Sequence, residues 1–237
     1  MSEGGKVELD PAFADRFGGA MKNKGGDGRP PCQLYLISPS SYDPGFPEQL
    51  KAVLDAGAAA AFQLRLKNVS DMEILRAGEV IRPILEAYDV AFIVNDRADL
   101  AQQLGADGVH LGQGDGDIAE ARARLGHAAQ IGVTCHGSRH LALEAGEKGA
   151  DYVAFGAFYE TQTKETQHRP DPSILGWWTT ISEIACVAIG GIRPDNAKPL
   201  VEAGADFICA SGSVWKADSP PGAMAAFAAV LEATPNA

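Results

Sequence analysis

Eight short apolar runs recur along the chain, and helix-like sequence follows each of them. They are Leu34–Ile37, Ala60–Leu66, Ala91–Val94, Gly108–Leu111, Gln130–Val133, Tyr152–Phe155, Cys186–Ile189 and Phe207–Ala210. This alternation specifies βα units and a parallel sheet. Several runs are apolar without alternation, as strands covered on both faces must be. Eight such units in 237 residues favour a closed (β/α)8 TIM barrel in a single domain. An open doubly wound sheet is the alternative.

A weak internal repeat supports the same construction. Gly105-Ala106-Asp107, Gly149-Ala150-Asp151 and Gly204-Ala205-Asp206 each close a helix-like segment and lead into a run. Glycine is the residue expected just past a helix end. Ser70-Asp71-Met72-Glu73 is a capping-box sequence ahead of Leu75, Ile81, Ile84 and Leu85 at near-helical spacing. Pro83 interrupts that pattern and should kink or break the helix. Trp177, Trp178 and Trp215 read as packing residues on helices or at a subunit contact.

Residues 1–30 look different. Gly4, Gly5, Gly18, Gly19, Gly25, Gly26 and Gly28 lie among charges, a composition that buries little and reads as a flexible extension. The barrel domain is expected over residues 31–237. The extension lacks the apolar core of a secretory signal, and no apolar stretch approaches the roughly 18 residues of a spanning helix. Cys32, Cys135, Cys186 and Cys209 occur singly, without a C-x-x-C pair. A chain with this much core needs no disulfide staples, so a reducing, cytoplasmic setting is expected. The formal net charge of −11 argues against nucleic acid or an anionic membrane surface as a partner. Small-molecule substrates are expected, and a homo-oligomer is compatible with the sequence. An anionic substrate must then meet a local concentration of cations, metal or backbone N–H groups.

Chemistry in such barrels sits at the C-terminal ends of the strands. After the second run, Gln63, Arg65 and Lys67 share one face by period-two alternation, while Leu64 and Leu66 take the other. The third run ends Asn95-Asp96, and the fourth continues His110-Leu111-Gly112-Gln113-Gly114-Asp115. Asp96 and Asp115 on adjacent strand ends suit magnesium, which takes few carboxylates and fills its shell with water and phosphate oxygens. Asp115 could equally cap the following helix or stabilise its glycine-rich turn. The fifth run leads into Thr134-Cys135-His136, whose hydroxyl falls at the rim. Cys135 and His136 point apart on a strand, and His136 with His140 falls short of a zinc ligand set. The longest loop follows the sixth run and carries Thr161, Gln162, Thr163 and Lys164. Its hydroxyls and its cation suit an anion, although solvated loops often share this composition. Gly190-Gly191 and Ser211-Gly212-Ser213 end the last two runs, where such barrels commonly bind phosphate.

Taken together, Gln63-x-Arg65-x-Lys67, Asn95-Asp96-Arg97, His110-Leu111-Gly112-Gln113-x-Asp115, Thr161-x-Thr163-Lys164 and Ile189-Gly190-Gly191-Ile192 resemble the thiamine phosphate synthase family from about Gln33 to the last helix. The resemblance implies a Mg2+-dependent transferase that condenses 4-amino-2-methyl-5-diphosphomethylpyrimidine with thiazole phosphate. It implies that Gln63, Arg65, Lys67, Asn95, Thr134 and Lys164 hold the pyrimidine diphosphate, with Arg65, Lys67, Lys164 and Thr134 taking part in catalysis. Magnesium would sit on Asp96 and Asp115. Thr161, Gln162, Thr163, Gly190, Gly191, Ser211 and Gly212 would receive the thiazole phosphate. Three positions depart from the family pattern. Leu66 stands where an acidic residue is usual, Thr134 replaces a serine, and Ser211-Gly212-Ser213 replaces Val-Ser.

The chemistry so implied is ionisation of the pyrimidine diphosphate to a stabilised cation, which the thiazole nitrogen then captures. It needs no protein nucleophile, and the motifs contain none. Three other readings share the barrel. Another phosphate-binding barrel, such as an aromatic amino-acid pathway isomerase, would share the glycines ending the last two runs but has no need for the paired aspartates. A thiazole tautomerase would need a general base and leave the paired aspartates without a purpose. A non-catalytic protein binding a thiamine-pathway phosphate could use the N-terminal extension as a partner-binding arm.

Overall fold

In the computed structural model, which describes residues 30–161 and 169–234, the eight runs become parallel strands that close into a barrel in chain order. The strands are β1 (Gln33–Ile37), β2 (Ala61–Leu64), β3 (Ala91–Asn95), β4 (Gly108–Leu111), β5 (Gln130–His136), β6 (Tyr152–Gly156), β7 (Ala185–Ile189) and β8 (Phe207–Ala210). Closure is sealed by β8 on β1, with Leu34 opposite Ile208 and Leu36 opposite Ala210. Helices α1 (Phe46–Ala56), α2 (Asp71–Ala87), α3 (Ala98–Leu104), α4 (Ile118–Leu125), α5 (Arg139–Glu147), α6 (Ser173–Ile181) and α7 (Pro194–Glu202) join successive strands. After β8 come the short α8 (Gly212–Trp215) and the closing α9 (Pro220–Ala233). The proposed extension lies, apart from Pro30, outside the described residues.

Period-two alternation sorts the side chains into two cores. Leu34, Leu36, Phe62, Leu64, Phe92, Val94, Val109, Leu111, Ile131, Val133, Val153 and Phe155 face outward and pack under the helices. Tyr35, Ile37, Ala61, Ala91, Ile93, Tyr152, Ala154, Val187, Phe207 and Cys209 fill the barrel interior. Trp178 is fully buried in the outer core, and its indole N–H donates to the Ile184 carbonyl at 2.8 Å. Trp215 donates to the Ile37 carbonyl at 2.6 Å and meets Phe46 edge to face. Trp177 is half-buried and receives the Arg139 guanidinium over its ring at 4.7 Å. The packing role expected for the three tryptophans is what they perform.

The Gly-Ala-Asp repeat has a shared mechanical purpose. Each glycine takes a positive φ as the helix ends, at 58° for Gly105, 89° for Gly149 and 101° for Gly204. Each aspartate then reaches back to the preceding strand. Asp107, Asp151 and Asp206 accept the backbone N–H of Phe92, Ile131 and Cys186 at 2.8, 2.7 and 2.8 Å. Their own N–H groups donate to the carbonyls of those same residues. The carboxylate therefore clamps neighbouring strands at the bottom of the barrel, where a strand's first N–H groups have few ladder partners.

Two sequence expectations need correction. Helix α2 runs unbroken from its Ser70–Glu73 capping box through Pro83 to Ala87; one missing backbone donor near the end of a buried amphipathic helix is tolerated. The second run also ends as a strand at Leu64, so Arg65 and Lys67 lie beyond β2. Ser38 and Ser40 hold that extension. Arg65 N–H donates to Ser38 Oγ at 2.8 Å, and Lys67 N–H to the Ser40 carbonyl at 2.9 Å. Leu64 and Leu66 stay buried in the outer core, so the side-chain alternation survives the end of the strand.

Candidate active site

Polar groups gather at the C-terminal mouth of the barrel. Asp96, just past β3, has φ of 66° and donates its N–H to the His110 carbonyl on β4. Its carboxylate accepts from Lys67 Nζ at 2.8 Å. Asp115, on the loop after β4, lies against Asp96. Burial raises its carboxyl first, the charge of Asp96 and a hydrogen bond with it raise it further, and Lys67 opposes them. Such a pair repels itself unless a proton or cation is shared. The helix-capping alternative for Asp115 falls to another residue: Asp117 accepts the Ala119 and Glu120 N–H groups at 2.8 and 3.2 Å. Asp115 does hold its glycine-rich turn: its N–H donates to the Gly112 carbonyl at 3.2 Å, and its carboxyl also takes a hydrogen bond from the Gly112 backbone.

Arg65 is half-buried and has no carboxylate partner among the described residues. Its charge is felt by His110 and by Cys209 in the barrel interior. Arg97, of the Asn-Asp-Arg motif, is committed elsewhere: it pairs with Asp71 at 2.7 Å and Asp99 at 2.6 Å. Asn95 follows Ile93 on the inward face of β3 and stands opposite His110.

Gln63 is almost fully buried, facing the barrel axis. Its amide begins a chain of hydrogen bonds that crosses the interior. Gln63 Nε2 donates to Tyr35 Oη at 3.1 Å, and the Tyr35 and Tyr152 hydroxyls are 2.9 Å apart. Tyr152 Oη lies 3.1 Å from His110 Nδ1, and His110 Nε2 lies 2.8 Å from Thr134 Oγ1. Burial pushes the His110 imidazole down to about 4, with Asp96 opposing and Arg65 assisting, so it is neutral near pH 7. Burial raises both phenols as well. Tyr35 and Tyr152 carry no motif, and sequence reasoning missed them. The one available signal was a polar-tipped aromatic on the inward face of two otherwise apolar strands. Thr134 lies within β5 rather than at its end, because a bulge at Cys135 carries the strand on to His136.

The loop after β6 is anchored to β7, with Phe158 N–H on the Ile189 carbonyl and Tyr159 N–H on the Gly190 carbonyl. A Cβ on Gly190 would fall 2.2 Å from the Ala157 Cβ, and one on Gly191 would fall 2.2 Å from the Glu160 carbonyl oxygen. These glycines therefore let two loops touch, which brings Thr161 to the same mouth. Gln162, Thr163 and Lys164 lie outside the described residues. Ser211 Oγ donates to the Ser38 carbonyl at 3.3 Å, and Gly212 opens α8. His140 is exposed and faces Glu144 at 3.7 Å.

Residues 34–214 match the family model described as thiamine monophosphate synthase. The chain belongs to the thiamine-phosphate synthase family. It is 55% identical over 207 residues to a thiamine-phosphate synthase of Erythrobacter litoralis, covering 86% of this chain and 97% of that one. With the synthase of Rhodospirillum centenum it shares 56% identity over 196 residues, covering 82% and 95% of the two chains. Among solved structures, thiamine phosphate pyrophosphorylase from Pyrococcus furiosus superposes with a TM-score of 0.76 at 33% identity, over 85% of this chain and 96% of that one. An orotidine 5'-phosphate decarboxylase from Pyrococcus horikoshii, 18% identical with a TM-score of 0.60, shares the barrel alone. The thiamine-phosphate synthase match thus takes in the strand-end motifs as well as the fold.

Proposed function

We propose that this protein is a thiamine-phosphate synthase, a transferase joining 4-amino-2-methyl-5-diphosphomethylpyrimidine to thiazole phosphate with release of diphosphate. The observation that carries the reading is the pairing of Asp96 with Asp115 beside Lys67 at one barrel mouth. Cations and paired carboxylates side by side suit a metal-bound diphosphate and have no purpose in a simple proton transfer.

Magnesium fits this donor set, since it uses one or two carboxylates and completes its shell with water and phosphate oxygens. Asp96 and Asp115 are its assigned ligands. Bound there, it would neutralise charge on the diphosphate. Gln63, Arg65, Lys67, Asn95, Thr134 and Lys164 are assigned to the pyrimidine diphosphate. Thr161, Gln162, Thr163, Gly190, Gly191, Ser211 and Gly212 are assigned to the thiazole phosphate.

In the reaction, the bond from the pyrimidine methylene carbon to diphosphate oxygen breaks, and its electron pair leaves with diphosphate. The ring amino group delocalises the resulting cation. Arg65, Lys67 and Lys164 stabilise the growing negative charge electrostatically. The thiazole nitrogen lone pair then forms the new C–N bond. Gln63 and Asn95 hold the pyrimidine in place, and the reaction requires that water be kept from the cation, which it would trap.

The substrates are small molecules, and no helix among the described residues is long and apolar enough to cross a membrane. Four buried cysteines, none in a disulfide among the described residues, support a reducing cytoplasmic setting. An assay of diphosphate release and thiamine phosphate formation tests the proposal directly. Product is expected only with both substrates and magnesium together. Binding of thiazole phosphate without any condensation under those conditions would overturn it.

A further inference from the structure

The chain Gln63–Tyr35–Tyr152–His110–Thr134 spans five side chains from five strands, and the orientation of the Gln63 amide sets its direction. An amide nitrogen only donates, so the Gln63 Nε2 to Tyr35 Oη bond makes Tyr35 the acceptor there. The Tyr35 proton is then available for Tyr152, 2.9 Å away. Tyr152, having accepted, gives its own proton to His110 Nδ1 at 3.1 Å. A neutral imidazole accepting at Nδ1 carries its proton at Nε2, and donates it to Thr134 Oγ1 at 2.8 Å. Thr134 is left with its own hydroxyl proton to give away, while the Gln63 carbonyl oxygen is left to accept. All the interior members are buried, so water does not compete for these bonds, and one reversed link would set two donors or two acceptors against each other.

We propose that this chain is a one-way hydrogen-bond relay that positions the two ends of the site, holding Gln63 as an acceptor and Thr134 as a donor toward the pyrimidine diphosphate. Tyr35, Tyr152 and His110 are its positioning residues and touch no reacting atom. The identity of the substrate rests on the synthase reading, whereas the direction of the relay is a property of the protein alone. An aminopyrimidine offers N–H groups to an acceptor, and a diphosphate offers oxygens to a donor. The two ends are therefore set with opposite polarity by one device.

The direction can be read without substrate. Long-range 15N–1H correlation spectra of histidine-labelled protein report which ring nitrogen carries the proton, and His110→Gln assigns the signal. The Nε2–H tautomer is expected for His110. Gln63→Glu, studied above the pH at which its carboxyl ionises, then supplies the decisive comparison, because an ionised carboxylate only accepts whereas a buried protonated one could donate. It should reverse every link and move the His110 proton to Nδ1, three hydrogen bonds away. In a Tyr35→Phe background, which cuts the relay, the same Gln63→Glu change should leave the tautomer unmoved. An Nδ1–H tautomer in the unsubstituted protein would overturn the proposal, and so would a tautomer indifferent to Gln63→Glu with Tyr35 present. Should Gln63→Glu fail to fold, the unsubstituted protein and Tyr35→Phe decide it. A unique Nε2–H form that becomes a mixture on cutting the chain supports the relay; an unchanged form refutes it. Activity gives a second readout. Thr134→Val should lower kcat about tenfold or more in the unsubstituted protein and add little in Gln63→Glu, where the donor is already lost. Absence of condensation activity in the unsubstituted protein would sink the synthase reading and leave the tautomer result standing.

Discussion

Gly132 stands opposite Tyr152 in the β5–β6 register, and a Cβ placed on it would fall 1.9 Å from the tyrosine ring. The absence of a side chain on β5 is therefore what admits the phenol of β6 to the barrel axis. There it meets Tyr35 and His110, with ring centroids 6.0 and 5.6 Å away. Gly132→Ala should push Tyr152 out of place and lower stability by about 1–3 kcal/mol, the usual range for overpacking a filled core. Chemical denaturation checks this. A variant as stable as the parent would mean that the interior yields more readily than its packing suggests.

The paired carboxylates lead to a different kind of loss. Asp96→Asn keeps the shape of the site and removes one charge from the pair. Turnover should fall on the order of 10²–10³, a typical effect of deleting one charge-stabilising group. The loss should be greatest at limiting magnesium, with little change in affinity for thiazole phosphate. Initial rates over a magnesium titration, alongside calorimetric binding of thiazole phosphate, separate these effects.

His110 makes stability depend on pH. Its folded value of about 4 lies below the ordinary imidazole value of 6.5, so in mild acid the unfolded chain binds a proton that the native protein refuses. The native state is thus fully favoured above pH 6.5 and loses stability as pH falls toward 4. At 1.36 kcal/mol per unit, the span corresponds to about 3 kcal/mol. Denaturation midpoints at pH 7 and pH 4.5, compared between the parent and His110→Gln, isolate this contribution. The variant should lose distinctly less stability on acidification.

At the opposite end of the barrel, Asp206→Ala should destabilise without touching the site. It strips the Cys186 N–H of the carboxylate that accepts it at 2.8 Å in a buried setting. Leaving a buried donor unpaired costs about 1–3 kcal/mol. Asp206→Asn, which retains an acceptor, should recover part of that, and kcat should stay near the parent value in both. Thermal melts with steady-state kinetics test the separation.

Local pattern carried most of the architecture into the sequence. Short apolar runs alternating with amphipathic segments dictate a parallel α/β fold, because a strand buried on both faces needs a helix to cover its outer side. Period-two alternation put Gln63 on the inward face and both neighbouring leucines outside, and it held even where β2 ended early. Asp96 and Asp115 were legible as candidates since each follows a strand, where such barrels collect their chemistry. Tertiary structure alone showed that Asp117, and not Asp115, caps the helix, and that Asp115 both holds its glycine-rich turn at Gly112 and lies against Asp96. It alone also joined Tyr35 to Tyr152, separated by 117 positions in the chain. Each of those tyrosines fits its own strand as an ordinary aromatic. What makes them a pair is barrel closure, which brings the inward faces of β1 and β6 together across the axis. Spacing along a single strand carries no record of that distance.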